Sequence, residues 1–113
     1  MIRMVIADDH AIVRGGIRQI MSTTEDIQVV AEAASTDDVL PLIRAGGIDV
    51  LLLDISLPGL GGLDLLKVLL VEAPTVPVLV LSMHNEGQIV QRALKAGARG
   101  YITKDSEPAV LLA

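Results

Sequence analysis

The sequence contains no cysteine, tryptophan or phenylalanine, and its single aromatic residue is Tyr101. The lack of cysteine excludes disulfide bonds and thiolate chemistry, which is compatible with a cytoplasmic location. Because phenylalanine and tryptophan are absent, the core must consist of aliphatic side chains and methionine. No apolar run approaches the roughly 18 consecutive residues of a membrane span. Asp8 and Asp9 interrupt the first apolar run too early for a secretion signal, so no membrane partner is expected.

Basic residues are also in the minority. Nine Lys and Arg residues stand against 14 Asp and Glu residues, which gives a formal net charge of -5. Because contacts with nucleic acid phosphates need a basic surface, we do not expect this domain to bind DNA by itself. The 113 residues suffice for one domain with its own core, and the sequence shows no internal repeat or domain boundary.

Short apolar runs alternate with helical periodicity along the chain. Strands are predicted at residues 2–7, 27–34, 48–54, 78–82 and 99–103. Helices are predicted at about residues 10–21, 35–45, 63–72 and 85–97, and a further helix opens at residues 106–108. The alternation with short links predicts an α/β fold, a doubly wound five-stranded parallel sheet with helices on both faces.

Two of these helices have uncertain bounds. Ser35 suits the N-cap of the second helix, but Pro41 conflicts with a straight helix that begins there. Either the helix kinks at Pro41, or it begins nearer Asp38.

The last helix has only about two turns before the sequence stops, against an average of about three. We expect the natural polypeptide to continue, although Leu111 and Leu112 could instead pack against another chain in an atypical dimer.

The third predicted strand is the centre of the pattern. Residues 48–53 form an almost continuous apolar run, which is typical of a strand buried on both faces. The run stops at Asp54, and a Pro-Gly turn follows. In open α/β sheets ligands bind outside the carboxyl ends of the strands. A charge at that place is costly unless it has partners.

Polar residues follow other predicted strands as well. Asp8 and Asp9 end the first strand, Ser82 ends the fourth and Lys104 ends the fifth. Parallel strands bring these ends to one edge, where the carboxylates would repel one another without a cation. An oxygen-only ligand set suits Mg²⁺ or Mn²⁺ rather than Zn²⁺. Each residue alone has an ordinary structural explanation, but together they predict a site for a phosphoryl group carried on, or passed through, a carboxylate.

This set of residues resembles the receiver domain of two-component response regulators over essentially all 113 residues. The resemblance rests on the acidic pair, on Asp54 with the Leu-Pro-Gly-Leu-Gly-Gly loop after it, and on Ser82 and Lys104. It implies a flavodoxin-like (CheY-like) sheet with strand order 2-1-3-4-5. It also implies a sensor histidine kinase as the phosphoryl donor.

Local sequence resembles the NarL/FixJ (LuxR-type) subfamily in particular. The similar stretches are Asp8-Asp9-His10 with Val13-Arg14, and the run from Gly97 to Lys104. Members of that subfamily usually carry a C-terminal helix-turn-helix DNA-binding domain. The resemblance therefore implies that residues 1–113 are the receiver domain, and that DNA is contacted only through a C-terminal domain that this sequence lacks.

The resemblance implies a role for each matching residue. Asp54 would be the phosphoacceptor. Asp9 would ligate Mg²⁺ directly, Asp8 mainly through water, and Asp54 with the backbone carbonyl of Ser56 would complete the protein ligands. Lys104 would pair with the phosphoryl oxygens.

A conformational switch is implied too. Ser82 would hydrogen-bond phosphorylated Asp54, and Tyr101 would turn inward behind it. The output surface would comprise the fourth helix, the fifth strand and the fifth helix, and phosphorylation would favour a homodimer. The Ser56 side chain and His84 are predicted to tune the lifetime of the phosphoryl group by admitting or blocking water.

Two positions stand apart from this pattern. His10 begins a helix beside the pocket, so a place at the rim is expected, with metal ligation as the lesser alternative. Many receivers have proline after the lysine, but Asp105 follows Lys104 here. Because a cis peptide before a non-proline residue costs about 2.5–4 kcal/mol, we expect a trans bond.

The domain is predicted not to be an enzyme for outside substrates, and to catalyse only its own aspartyl phosphorylation and dephosphorylation. One alternative is a Mg²⁺-dependent phosphatase with an aspartyl nucleophile. Such enzymes usually carry a second acid two residues after the nucleophile, where this sequence has Ser56, and no cap domain is present. The other alternative is a receiver-like module that has lost phosphorylation, and the presence of every site residue argues against it.

Overall fold

A computed structural model describes residues 2–55, 62–72, 75–82 and 87–103. The strands are β1 (Ile2–Ala7), β2 (Ile27–Ala33), β3 (Val50–Asp54), β4 (Val78–Ser82) and β5 (Gly100–Thr103). The helices are α1 (Ala11–Met21), α2 (Thr36–Arg44), α3 (Gly62–Glu72) and α4 (Gly87–Lys95). Every strand pair is parallel and the order is β2-β1-β3-β4-β5, which confirms the predicted sheet.

The core lies on both faces of this sheet. Successive side chains of a strand point to opposite faces. On one face, buried residues of β1 and β3 pack against α2, α3 and α4: Val5, Leu51, Leu53, Val39, Leu65, Leu66 and Ala93. On the other face, the alternate residues pack against α1: Met4, Ile6, Leu52, Ile17 and Met21. At about 1.5–3 kcal/mol for each buried aliphatic side chain, this double coverage holds β3 in the centre of the molecule.

The composition of the core follows the composition of the sequence. All buried hydrophobic residues in the described part of the chain are Ala, Val, Ile, Leu or Met. Tyr101 does not contribute, because 53% of its surface is exposed on β5.

Several element bounds differ from the sequence prediction. β3 begins at Val50, two residues later than predicted. α2 begins at Thr36 and continues through Pro41, so a start nearer Asp38 is wrong. Proline has no amide hydrogen, so α2 lacks one of its helical hydrogen bonds there. Ser35 is the N-cap residue with extended φ and ψ of -151° and 165°, but its side chain makes no capping hydrogen bond.

Several sequence predictions lie outside the described residues. They concern Ser56, His84, Lys104, the peptide bond before Asp105 and the helix at residues 106–108. No helix of the described part is long and apolar enough to cross a membrane.

Candidate functional site

The carboxyl ends of β1 and β3 lie side by side. Ala7 pairs with Leu53 in parallel register, so the next residues, Asp8 and Asp54, leave the sheet next to each other. Both carboxylic residues are completely buried. A buried carboxylate is costly without compensating charge or hydrogen bonds, so this pair marks the edge of the sheet as a place for polar chemistry.

Backbone and side chain both fix Asp8. Its amide donates to the carbonyl of Ala33 on β2 at 3.0 Å, and its carbonyl accepts a hydrogen bond from Arg14 Nη1 at 2.6 Å. Its Oδ1 accepts the amide hydrogen of His10, the N-cap residue of α1, at 2.8 Å. The carboxylate of Asp8 thus lies at the N-terminus of α1, where the helix dipole stabilises negative charge.

Ser82 ends β4 on the other side of β3. Asp54 pairs with Leu81, and Ile55 donates its amide to the carbonyl of Leu81 at 3.0 Å. Ser82 is buried, and among the residues that the structure describes none makes a hydrogen bond with its Oγ. A buried hydroxyl that lacks a hydrogen bond is unfavourable. The predicted hydrogen bond of Ser82 to phosphorylated Asp54 stays a prediction.

Four side chains form a cluster that can hold a cation. Asp8, Asp9, His10 and Asp54 each place one ligand atom within 4.8 Å of the others. Two ligands on opposite sides of a Mg²⁺ ion, with bonds of about 2.1 Å, are about 4.2 Å apart. The spacing of the carboxylate oxygens in the cluster is close to that value, and carboxylate oxygens are the ligands that Mg²⁺ prefers. The three predicted carboxylates converge; their role as ligands stays a prediction.

His10 closes the outer side of this cluster. Its Nδ1 lies 2.9 Å from Oδ1 of Asp8 and 3.1 Å from Oδ1 of Asp9, and 59% of the imidazole is exposed. The sequence predicts His10 at the rim of the pocket, but its contacts with both carboxylates are not evident from the sequence. The available signal was its position directly after the acidic pair and before the first turn of α1.

The remaining predicted residues fall into two groups. Tyr101 pairs with Val80 in the sheet and its side chain is exposed, so its inward turn stays a prediction. Ser56, His84 and Lys104 lie outside the described residues, and their roles also stay predictions.

Comparison with known proteins agrees with this geometry. Residues 4–113 match the response regulator receiver domain. The transcriptional regulatory protein UhpA of Salmonella typhimurium is 41% identical over 113 residues, which cover 100% of this chain and 56% of UhpA. The receiver domain of the putative response regulator NarL from Mycobacterium tuberculosis has a TM-score of 0.88 and 36% identity, and the match covers 97% of this chain and 93% of that one.

A DNA complex is also among the similar structures. RcsB from Salmonella enterica serovar Typhimurium, bound to a promoter in the presence of the phosphomimetic BeF3-, has a TM-score of 0.91 and 30% identity. The match covers 98% of this chain and 64% of RcsB. The chain spans about half the length of the curated relatives it matches. It belongs to the response regulator receiver domain family, in the NarL/FixJ (LuxR-type) branch.

Proposed function

We propose that Asp54 accepts a phosphoryl group from a sensor histidine kinase, and that the phosphorylated domain controls an output of the longer protein. The observation that carries this proposal is the buried Asp54 carboxylate, at the end of β3, within 4.8 Å of ligand atoms of Asp8, Asp9 and His10. Family membership supports the kinase as the phosphoryl donor.

The transfer needs a nucleophile and stabilisation of charge. One oxygen of Asp54 forms the new bond to phosphorus while the bond from phosphorus to the donor histidine nitrogen breaks, and that nitrogen keeps the electron pair. Asp8, Asp9, Asp54 and the carbonyl of Ser56 would hold Mg²⁺ (or Mn²⁺). The ion would neutralise charge on the phosphoryl oxygens. Lys104 would pair with those oxygens.

The domain's own residues also account for the later steps. Buried Ser82 would donate its hydroxyl hydrogen to the new dianion, and Tyr101 would follow it inward. The Ser56 side chain and His84 would regulate access of water to the acyl phosphate. Hydrolysis then frees Asp54 again, so the domain would catalyse only its own phosphorylation and dephosphorylation.

The output is proposed to be transcription regulation. UhpA is described as a transcriptional regulatory protein, and the RcsB structure contains promoter DNA. In this chain the net charge of -5 disfavours direct DNA contact, so a C-terminal DNA-binding domain beyond residues 1–113 would contact DNA. Phosphorylation would favour a homodimer of the longer protein. A cytoplasmic location fits the family.

Intact-mass spectrometry tests this proposal. The domain is incubated with Mg²⁺ and a small acyl phosphate, and the wild type should gain the mass of one phosphoryl group. Asp54→Asn should gain none, while Asp64→Asn, which removes an exposed carboxylate from the first turn of α3, should behave as the wild type. No gain by the wild type would contradict the proposal. Steady release of phosphate without a retained phosphoryl group would instead favour the phosphatase alternative.

A further inference from the structure

Arg14 connects α1 with the loop that carries the acidic pair. Its Nη1 donates to the carbonyl of Asp8 at 2.6 Å, and its Nε donates to Oε1 of Glu32 at 3.2 Å. Only 20% of the Arg14 side chain and 26% of the Glu32 side chain are exposed. The planar guanidinium thus binds two groups on different elements, which a flexible ammonium does less well.

The carbonyl of Asp8 belongs to the peptide that joins Asp8 to Asp9. Because a peptide unit is planar, holding its oxygen also sets the direction of the bond into Asp9. The amide on the other side of Asp8 is held by the carbonyl of Ala33 at 3.0 Å. The link from Asp8 to Asp9 therefore starts from a backbone fixed on both sides, although Asp9 itself is 38% exposed.

Glu32 holds Arg14 in this position. It lies on β2, where it pairs with Ile6 of β1 and directly precedes Ala33. Its second oxygen, Oε2, contacts Nη1 of Arg18, one turn further along α1. Among the described residues, Arg18 therefore contacts Glu32 and not the acidic pair, whereas Arg14 contacts the carbonyl of Asp8 directly.

We infer that Arg14 is a positioning residue for the metal site: held by Glu32, it fixes the peptide between Asp8 and Asp9 and so raises the affinity for Mg²⁺. The inference rests on the proposed function, because the acids must be the metal ligands. Partners just outside the ligand shell of a metal typically change its affinity by 10–100-fold when they are removed.

A purely structural role is the alternative, since the same contacts also dock α1 onto β2. The chain offers a matched control for that role. Arg44 and Glu72 form a second, more exposed Arg–Glu pair, between α2 and α3, with Nη2 to Oε1 at 2.8 Å. In the described part of the chain, the Arg44 side chain bonds Glu72 and none of the clustered acids. Loss of either pair should lower stability, but only loss of the Arg14 pair should change Mg²⁺ affinity.

The experiment is calorimetric titration of Mg²⁺ into the wild type and four variants, each with a thermal unfolding curve. Arg14→Met should bind Mg²⁺ at least about tenfold more weakly. Arg14→Lys should recover part of the affinity, because an ammonium can still donate to the Asp8 carbonyl. Glu32→Gln, which keeps Arg14, should give an intermediate loss, and Arg44→Met should bind as the wild type does.

The outcomes separate this inference from the proposed function. Wild-type affinity in both Arg14→Met and Glu32→Gln would overturn the positioning role while the proposed function stands. An equal loss of Mg²⁺ affinity in Arg44→Met would overturn the positioning role too, because the loss of affinity would then follow the loss of stability alone. If Arg14→Met does not fold, the Mg²⁺ affinities of Glu32→Gln and Arg44→Met are compared. Weaker binding by Glu32→Gln than by Arg44→Met supports the positioning role, and equal binding overturns it. A wild type that binds no Mg²⁺ would overturn the metal site and this inference together.

Discussion

Glu72 at the end of α3 accepts two hydrogen bonds from Arg44 at the end of α2, at 3.1 Å from Nε and 2.8 Å from Nη2. These hydrogen bonds, helped by the positive charge of Arg44, lower the pKa of the Glu72 carboxyl below its ordinary value of 4.5. The pair joins two helices that pack on the same face of the sheet. It is solvent-exposed, so we expect its effect on stability to be small and sensitive to salt.

The lowered pKa predicts a specific pH dependence. Because the carboxyl of Glu72 is more acidic in the folded than in the unfolded state, the pair stabilises the fold above about pH 4.5. That contribution is lost as the pH falls through the lowered pKa. Glu72→Gln should therefore flatten this part of the curve of unfolding free energy against pH. In an NMR titration, Arg44→Met should return the Glu72 pKa towards 4.5, and an unchanged pKa would contradict the account.

Gly97, just after α4, is predicted to resist substitution. Its φ is +117°, and a Cβ atom there would lie 2.6 Å from Cδ1 of Leu70. Gly97→Ala combines backbone strain with a clash, so it should destabilise the domain by about 1–3 kcal/mol. Gly16→Ala in α1, where a Cβ meets nothing within 4 Å, should stabilise it by about 0.5–1 kcal/mol. Urea unfolding measures both changes, and equal stability of the two variants would refute the prediction.

Ser82→Ala should leave the stability of the unphosphorylated domain intact but remove the change in stability that phosphorylation causes. In the unphosphorylated domain the Ser82 hydroxyl is buried without a hydrogen bond from the described residues, so its removal should cost nothing and could stabilise by up to about 1 kcal/mol. Ser22→Ala is the contrast, because it removes a hydroxyl that donates to the carbonyl of Gln19 at 2.6 Å. Urea midpoints before and after phosphorylation should show that only Ser82→Ala abolishes the phosphorylation-dependent shift. A loss of more than about 1 kcal/mol in unphosphorylated Ser82→Ala would argue against this account.

Tyr101 offers a direct optical readout of the switch. Because it is the only aromatic residue, the intrinsic fluorescence of the domain reports on this side chain alone. The ring is exposed on β5, so an inward turn upon phosphorylation should change its emission intensity and reduce quenching by iodide. Asp54→Asn under the same conditions should show no change. Unaltered quenching in phosphorylated wild type would mean that Tyr101 does not move.

Much of the fold follows from patterns that are visible in the sequence. The short apolar run before Asp54, bounded by turn residues, predicts a central strand because strands covered on both faces are typically aliphatic throughout. Parallel pairing brings the strand ends to one edge, and the strand order that the family resemblance implies places β1 next to β3. The structure pairs Ala7 with Leu53, the residues directly before Asp8 and Asp54. The convergence of the acids was therefore predictable.

Other features depend on side-chain geometry and were not predictable. The sequence left open whether the second helix runs through Pro41. The structure shows that it does, with Val39 and Ile43 buried on either side of the proline. The contacts of His10 with both acids depend on how the chain enters α1. The contacts of Arg14 depend on how α1 packs against the edge strand β2. No spacing rule in the sequence encodes either arrangement.

The proposed function requires that Asp54, and no other carboxylate, holds the phosphoryl group. The most direct measurement is chemical mapping: after treatment with Mg²⁺ and an acyl phosphate, borohydride reduces an aspartyl phosphate to homoserine, which peptide mass spectrometry locates. We expect homoserine at position 54 and aspartate at positions 8 and 9. Homoserine at position 8 or 9, or unreduced aspartate at position 54 in protein that has gained a phosphoryl group, would contradict it.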